Sequence, residues 1–198
     1  MKRFLFFILV LLCLSSLSFA QANGNGIGFE FGAGIAGILS YFEAGLVMPK
    51  INEKVFIDIK ARWMSAITWT TFVNMETGET VSFHPVVAGG VISVGTVGPL
   101  INGELRVYGG SDILLGHSFT PYDSLAYGVG NLLPPNLTYG VWGYLGFEYF
   151  LSDKSSIYVQ SGGGYKGMLV ENKNDAYAVA SSWIGSGFGF RMGAKFYF

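Results

Sequence analysis

The last eleven residues, FGFRMGAKFYF, alternate without a break. Phe188, Phe190, Met192, Ala194, Phe196 and Phe198 take one set of positions, and Gly189, Arg191, Gly193, Lys195 and Tyr197 take the other. Successive side chains of a β-strand point to opposite faces, so this period of two predicts a strand with one wholly apolar face and one carrying both cations. Such a face must lie against a second sheet, a soluble core or lipid.

The other end of the chain narrows the choice. Lys2 and Arg3 precede the apolar run FLFFILVLLCL, and Ser18-Phe19-Ala20 supplies small residues at the expected cleavage positions. Residues 1–20 read as a secretory signal peptide, leaving one domain over residues 21–198. The chain's one cysteine, Cys13, falls inside that segment, so no disulfide framework is expected afterwards. A formal net charge of −1, spread over both signs, gives no basic surface for nucleic acid.

Charged residues amount to 13% of the chain, about half the usual share, and hydrophobic residues reach 51%. Yet no helix-length apolar run follows residue 20. Both long uncharged stretches, Thr80–Gly103 and Ser124–Phe147, are interrupted by prolines and glycines. In a bilayer the alternative to helices is a closed β-barrel.

Eight strands carry the same weak rhythm. The first, near Gly26–Ile35, sets Ile27, Phe29, Phe31, Ala33 and Ile35 opposite Glu30. The second, Tyr41–Met48, separates Phe42, Ala44, Leu46 and Met48 from Glu43. The third, Val55–Ser65, alternates Val55, Ile57, Ile59, Ala61 and Trp63 with Phe56, Asp58, Lys60, Arg62 and Met64. The fourth, Val81–Val94, is apolar on both faces, which leaves its register open, and Pro85 marks a bulge or rim position. The fifth, Gly103–Leu114, sets Leu105, Val107 and Ile113 against Glu104, Arg106 and Asp112. The sixth, Leu137–Leu151, faces Trp142, Tyr144 and Glu148 away from Tyr139, Val141, Leu145, Phe147 and Tyr149. The seventh, Ser156–Val170, opposes Tyr158, Gln160 and Lys166 to Ile157, Val159 and Tyr165, and the C-terminal segment is the eighth.

Links after even strands (PKINEK, GPLING, SDKS) are short, and two of those after odd strands are long. Short turns on one side and longer loops on the other are the build of an outer-membrane barrel. Ile57, Ile59, Leu105, Phe147 and Phe196 are expected to face lipid. Centring the turn between the second and third strands on Ile51–Asn52 sets Glu43 opposite Lys60, both inward, as a candidate ion pair.

The signal peptide, the alternating strands and the C-terminal pattern ending in Phe198 resemble the small eight-stranded outer-membrane barrels of the OmpA and OmpX type. The resemblance implies an all-β, antiparallel, up-and-down transmembrane barrel in the outer membrane of a Gram-negative cell. It also implies that Phe190, Met192, Phe196 and Phe198 form the signal read by the barrel-insertion machinery. A second, local resemblance joins NLLPPNL (Asn131–Leu137) to OmpW-type barrels, which pass small hydrophobic molecules; the rest of that pattern does not follow.

Inside an eight-stranded barrel there is room only for side chains. The inward set is Glu30, Glu43, Asp58, Lys60, Arg62, Glu104, Arg106, Glu148, Lys166, Arg191 and Lys195, five acids against six bases. An isolated buried charge costs several kcal/mol, so this near-balance predicts mutual pairing across the lumen, with inward Gly162, Gly164, Gly189 and Gly193 making room. The longest link, Leu115–Asn136, carries Phe119, Tyr122, Leu125, Tyr127, Leu132 and Leu133. Phe119, Tyr122 and Tyr127 are its candidate contacts with a surface ligand, since exposed apolar groups mark interaction sites.

Catalytic motifs fall away. Gly32-x-Gly34-x-x-Gly37 and Gly162-x-Gly164-x-x-Gly167 match a dinucleotide fingerprint, but neither opens an amphipathic helix. His117 and Ser118 suggest the lipid A deacylase barrels, yet that family separates the pair by one residue, and neighbours on a strand face opposite ways. His84 stands alone and makes no metal site. The expectation is a non-enzymatic barrel without cofactor or metal, in contact with outer-membrane lipid and lipopolysaccharide, serving structure, adhesion or surface interaction. Its rivals are a narrow conduit for small solutes and a soluble periplasmic lipocalin-like binder.

Overall fold

The computed structural model describes residues 24–67, 70–73, 80–84, 86–118, 121–124, 128–132, 136–169 and 186–198. The proposed signal segment lies outside them, as do Pro85, Phe119 and Tyr127. Among the described residues, twelve strands form in two sheets. Eight of them, β1 (Gly28–Ala36), β2 (Leu39–Val47), β3 (Val55–Ala66), β6 (Val86–Ile101), β7 (Leu105–Ser118), β10 (Asn136–Ser152), β11 (Ser155–Leu169) and β12 (Gly187–Tyr197), close into a barrel. Every neighbouring pair is antiparallel, and the first strand meets the last from Gly28↔Tyr197 to Ala36↔Gly189. This is an eight-stranded, up-and-down transmembrane β-barrel, whose closed ladder leaves no edge to be satisfied by lipid.

The exterior is apolar along each strand. Phe42, Ile59, Trp63, Leu145, Phe147, Phe188 and Met192 are each more than half exposed. Aromatics collect at both ends, as in the girdles of membrane barrels. Trp63, Tyr139 and Tyr165 lie toward the long loops, the last two with ring centroids 6.2 Å apart. Phe29 and Phe198 meet edge to face at 5.6 Å toward the short turns.

Turn chemistry sets the registers. The β2–β3 turn uses Asn52 and Glu53, both at positive φ, and the β6–β7 turn uses Asn102 and Gly103, also both positive. That is the requirement of a type I′ hairpin turn. The first of these corrects the expected pairing. Glu43 stands opposite Arg62, and Lys60 opposite Gly45, because the turn centres nearer Glu53 than Ile51. The slip is two residues, so each side chain keeps its face.

The fourth strand differs more. It breaks beyond Phe83, and its barrel part runs on through Pro99 to Ile101, with an irregularity between Val97 and Leu100. A bulge there accommodates the proline's missing donor. The hairpin turn therefore moves to Asn102–Gly103 and carries Glu104 with it. Glu104 is exposed beside the turn, where it accepts a 2.7 Å hydrogen bond from Tyr149 Oη. It does not belong to the inward set.

The long link is not structureless either. β7 already includes Leu115–Ser118, and β8 (Pro121–Ser124) and β9 (Gly128–Leu132) follow it. With β4 (Thr70–Val73) and β5 (Thr80–Phe83) they make a four-stranded sheet in the order β4-β5-β8-β9. That order repeats the barrel order of the strands they adjoin in the chain, β3-β6-β7-β10. Tyr122 falls in β8, opposite Phe83 in the ladder.

Candidate functional site

The inward side chains stack in levels. Toward the loops, Ala36, Leu39, Tyr41, Met64, Ala66, Val87, Val91, Leu114 and Trp142 form an apolar cluster. Toward the short turns, Phe56, Tyr108, Tyr144 and Tyr158 pack together, and beyond them Val47, Phe150 and Tyr197. Charged groups run through the middle. Glu30, Glu43, Asp58, Lys60, Arg62, Arg106, Glu148, Lys166, Arg191 and Lys195 are all at most 8% exposed.

Glu43 is the hub. It accepts from Arg62 Nε at 2.8 Å and Nη2 at 2.6 Å, from Arg191 Nη1, and from Lys60 Nζ at 3.4 Å. Asp112, across the lumen on β7, accepts from Arg62 Nη2, from Arg191 Nη1 at 3.2 Å and from Ser93 Oγ at 2.5 Å. Arg191 also donates to Gln160 Oε1 at 2.6 Å, whose oxygen accepts from Tyr108 Oη at 3.0 Å. Two bases thus hold two acids in a square, and no member is left as an isolated ion.

Two smaller groups extend it. Glu30 accepts from Lys60 Nζ at 3.0 Å and Tyr158 Oη at 2.7 Å, with Lys195 Nζ at 3.7 Å. Lys195 reaches Asp58 at the same distance, and Asp58 accepts from Met48 N at 3.3 Å. Glu148 accepts from Ser156 Oγ and Tyr197 Oη, each at 2.6 Å, with Arg106 at 3.8 Å. Aromatic faces share the cations: Arg62 lies 4.6 Å from the Tyr41 ring centroid, Arg191 5.3 Å from Tyr144 and Lys195 5.5 Å from Tyr158. Space comes from glycine. A Cβ on Gly32 or Gly193 would meet the Tyr158 hydroxyl at 2.4 or 2.6 Å.

Each of the five inward carboxylates has at least two donors or cations on it. Groups held in this way are poorly placed to abstract a proton. Asp112, Ser93, Gln160 and Tyr158 complete the network beyond the residues drawn from charge alone. Alternation did place Asp112, Gln160 and Tyr158 opposite the apolar face. Lys50, in the turn after β2, closes the short-turn end. It donates to the Gly24 carbonyl and lies 5.6 Å from the Tyr197 ring centroid, and burial pushes its ammonium down to about 8.

His117 and Ser118 sit side by side on β7, the first exposed and the second buried, so they face opposite sides of the wall. Both glycine fingerprints begin on strands, β1 and β11. Among the described residues, no three His, Cys, Asp or Glu gather as a metal site.

Fold and interior together define a class: a small closed transmembrane barrel with an apolar wall and a hydrogen-bonded ionic interior. No family model matches the chain, and no curated protein matches it. Among solved structures the chain is similar to Ail, the attachment invasion locus protein of Yersinia pestis, in complex with the heparin analogue sucrose octasulfate. The identity is 11%, with 87% of this chain and 94% of that one covered and a TM-score of 0.40. It is also similar to Neisserial surface protein A, at 10% identity, 90% and 99% coverage and a TM-score of 0.39.

Proposed function

We propose that this protein is a non-enzymatic outer-membrane barrel that anchors a recognition surface, and that its work is surface interaction or adhesion. The observation that supports this reading is the β4-β5-β8-β9 sheet, which repeats the order of the strands it adjoins. A transmembrane strand needs about 9–11 residues. β1 and β2 have nine each, whereas β6, β7, β10 and β11 have 14 to 17. Three of these four long strands, β6, β7 and β10, adjoin the second sheet, and β11 is the hairpin partner of β10. Length beyond the bilayer serves a feature outside it.

The lumen, in this reading, is a plug: its ion pairs stiffen the barrel and leave no path for solutes. The partners are outer-membrane lipid and lipopolysaccharide around the wall, and a ligand on the outer sheet. The insertion machinery reads Phe190, Met192, Phe196 and Phe198, of which the first three are exposed on the lipid side.

Replacing residues 68–85 and 119–135 by short Gly-Ser links is the test. Insertion and heat-modifiable gel mobility are expected to persist while binding to cells, matrix or lipopolysaccharide is lost. Binding that survives the exchange refutes the reading. Reconstituted protein is expected to give no stable channel, and a reproducible conductance favours the conduit.

A further inference from the structure

One inward cation stands outside the network. Lys166, on β11 near the loop end, is fully buried, and its Nζ has no hydrogen-bond acceptor among the described residues. Its backbone is fixed, since Lys166 N donates to Ser186 Oγ at 2.9 Å. The ladder β6–β7–β10–β11 places it in the row Val91–Leu114–Gly140–Lys166, so its neighbours along that row are apolar cluster members and a glycine. The five inward carboxylates are committed elsewhere, to Lys60, Arg62, Arg106, Arg191 and Lys195. A buried ammonium without a counter-charge is unfavourable, and ordinarily such a group is paired.

A second orphan donor lies beside it. Trp142 Nε1 is buried and has no acceptor among the described residues. Trp142 stands opposite Gly164, and Gly140 stands opposite Lys166, so the two side chains are diagonal neighbours on one face of adjacent strands. The indole lies across the opposite diagonal, between Gly164 on β11 and Gly140 on β10. A Cβ on Gly164 would meet Trp142 Cδ1, the carbon bonded to Nε1, at 2.6 Å, and one on Gly140 would meet Trp142 Cζ3 at 2.3 Å. The indole nitrogen is therefore held against β11, two residues from Lys166. An ammonium offers three donors and an indole one, and neither accepts.

We propose that Lys166 and Trp142 form an anion site at the loop end of the lumen, which takes an oxyanion group, phosphate or carboxylate, with one oxygen toward Lys166 Nζ and another toward Trp142 Nε1. The site goes beyond the surface-interaction reading and does not depend on it.

The test uses the full-length barrel refolded in neutral detergent, with inorganic phosphate as probe and chloride at matched ionic strength as control. Phosphate in hundredfold excess over its dissociation constant is expected to raise the heat-modifiability midpoint by about 5 °C. It is also expected to shift the indole N–H resonance assigned by Trp142→Phe. Lys166→Met should abolish both responses, and Lys166→Arg should keep them. In phosphate-free buffer Lys166→Met is expected to be at least as heat-stable as wild type, which shows that the variant folds. A second arm adds a lipid phosphate, phosphatidylglycerol in mixed micelles. A response there alone assigns the oxyanion to a headgroup, and a response to inorganic phosphate assigns it to a free ion. The proposal is overturned if neither probe acts, or if Lys166→Met responds like wild type. It is equally overturned if, in phosphate-free buffer, Lys166→Met and the pair Glu171→Gln with Asp175→Asn both destabilise the barrel, since the chain's own carboxylates would then be the partner.

Discussion

At the level of Arg191, two guanidinium groups bridge Glu43 and Asp112, and serine and glutamine side chains fill in around them. Beside Trp142 and Lys166 the neighbours are mostly apolar, and an ammonium and an indole have no acceptor among the described residues. Burial is similar in the two places; what differs is the polarity of the neighbours, and with it the supply of acceptors. Buried charges are normally paired, so cations that hold counter-charges mark a structural device and a cation without one marks an incomplete site.

Arg191→Leu tests the contrast most severely. It strips cationic partners from both Glu43 and Asp112, and removing one member of a buried pair costs about 3–5 kcal/mol. Urea unfolding from vesicles is the measurement, and a loss no larger than that of Lys166→Met erases the distinction between the levels. Next comes Ile59→Lys, one residue from Lys60 but on the lipid face. It is expected to cost about 2–4 kcal/mol in the same assay, and its neutrality would reverse the assignment of the faces. Tyr158→Phe removes one hydrogen bond to Glu30 without changing shape, and should cost about 2 kcal/mol.

The last test concerns pH. The Lys50 ammonium titrates near 8 when folded and near 10.4 in an unfolded chain. Between these values the unfolded chain binds more protons, so stability should rise with pH across that window. Lys50→Met is expected to flatten that part of the pH profile, and an unchanged slope assigns it to other groups.

Sequence alone reached the barrel because alternation is a local signal, repeated strand by strand and insensitive to register. Errors arose where an inference needed more than facing. Glu104 has the right parity for an inward residue, but it lies in the turn, because β6 passes through Pro99. The partner of Glu43 depended on which turn residues adopt positive φ, and Asn52–Glu53 does so rather than Ile51–Asn52. The outer sheet was hidden for a different reason. Its strands are four or five residues long and pair across separate loops, so no single window contains the evidence. Lys166 has the parity of any other inward base; only the geometry shows the five described inward carboxylates held by other cations.

The ladder between β1 and β12 carries one further consequence, for the order of events in time. It joins segments at opposite ends of the barrel domain, and Arg191 reaches past β1 to Glu43, 148 positions earlier. Pairing at such separation carries the largest loop-closure entropy in the domain, so the seam is expected to zip last. Contacts absent from the folding transition state govern the rate of escape from the native state. The ion pairs that straddle β1 and β12 then act as a latch: weakening them should speed unzipping and leave the rate of insertion nearly unchanged.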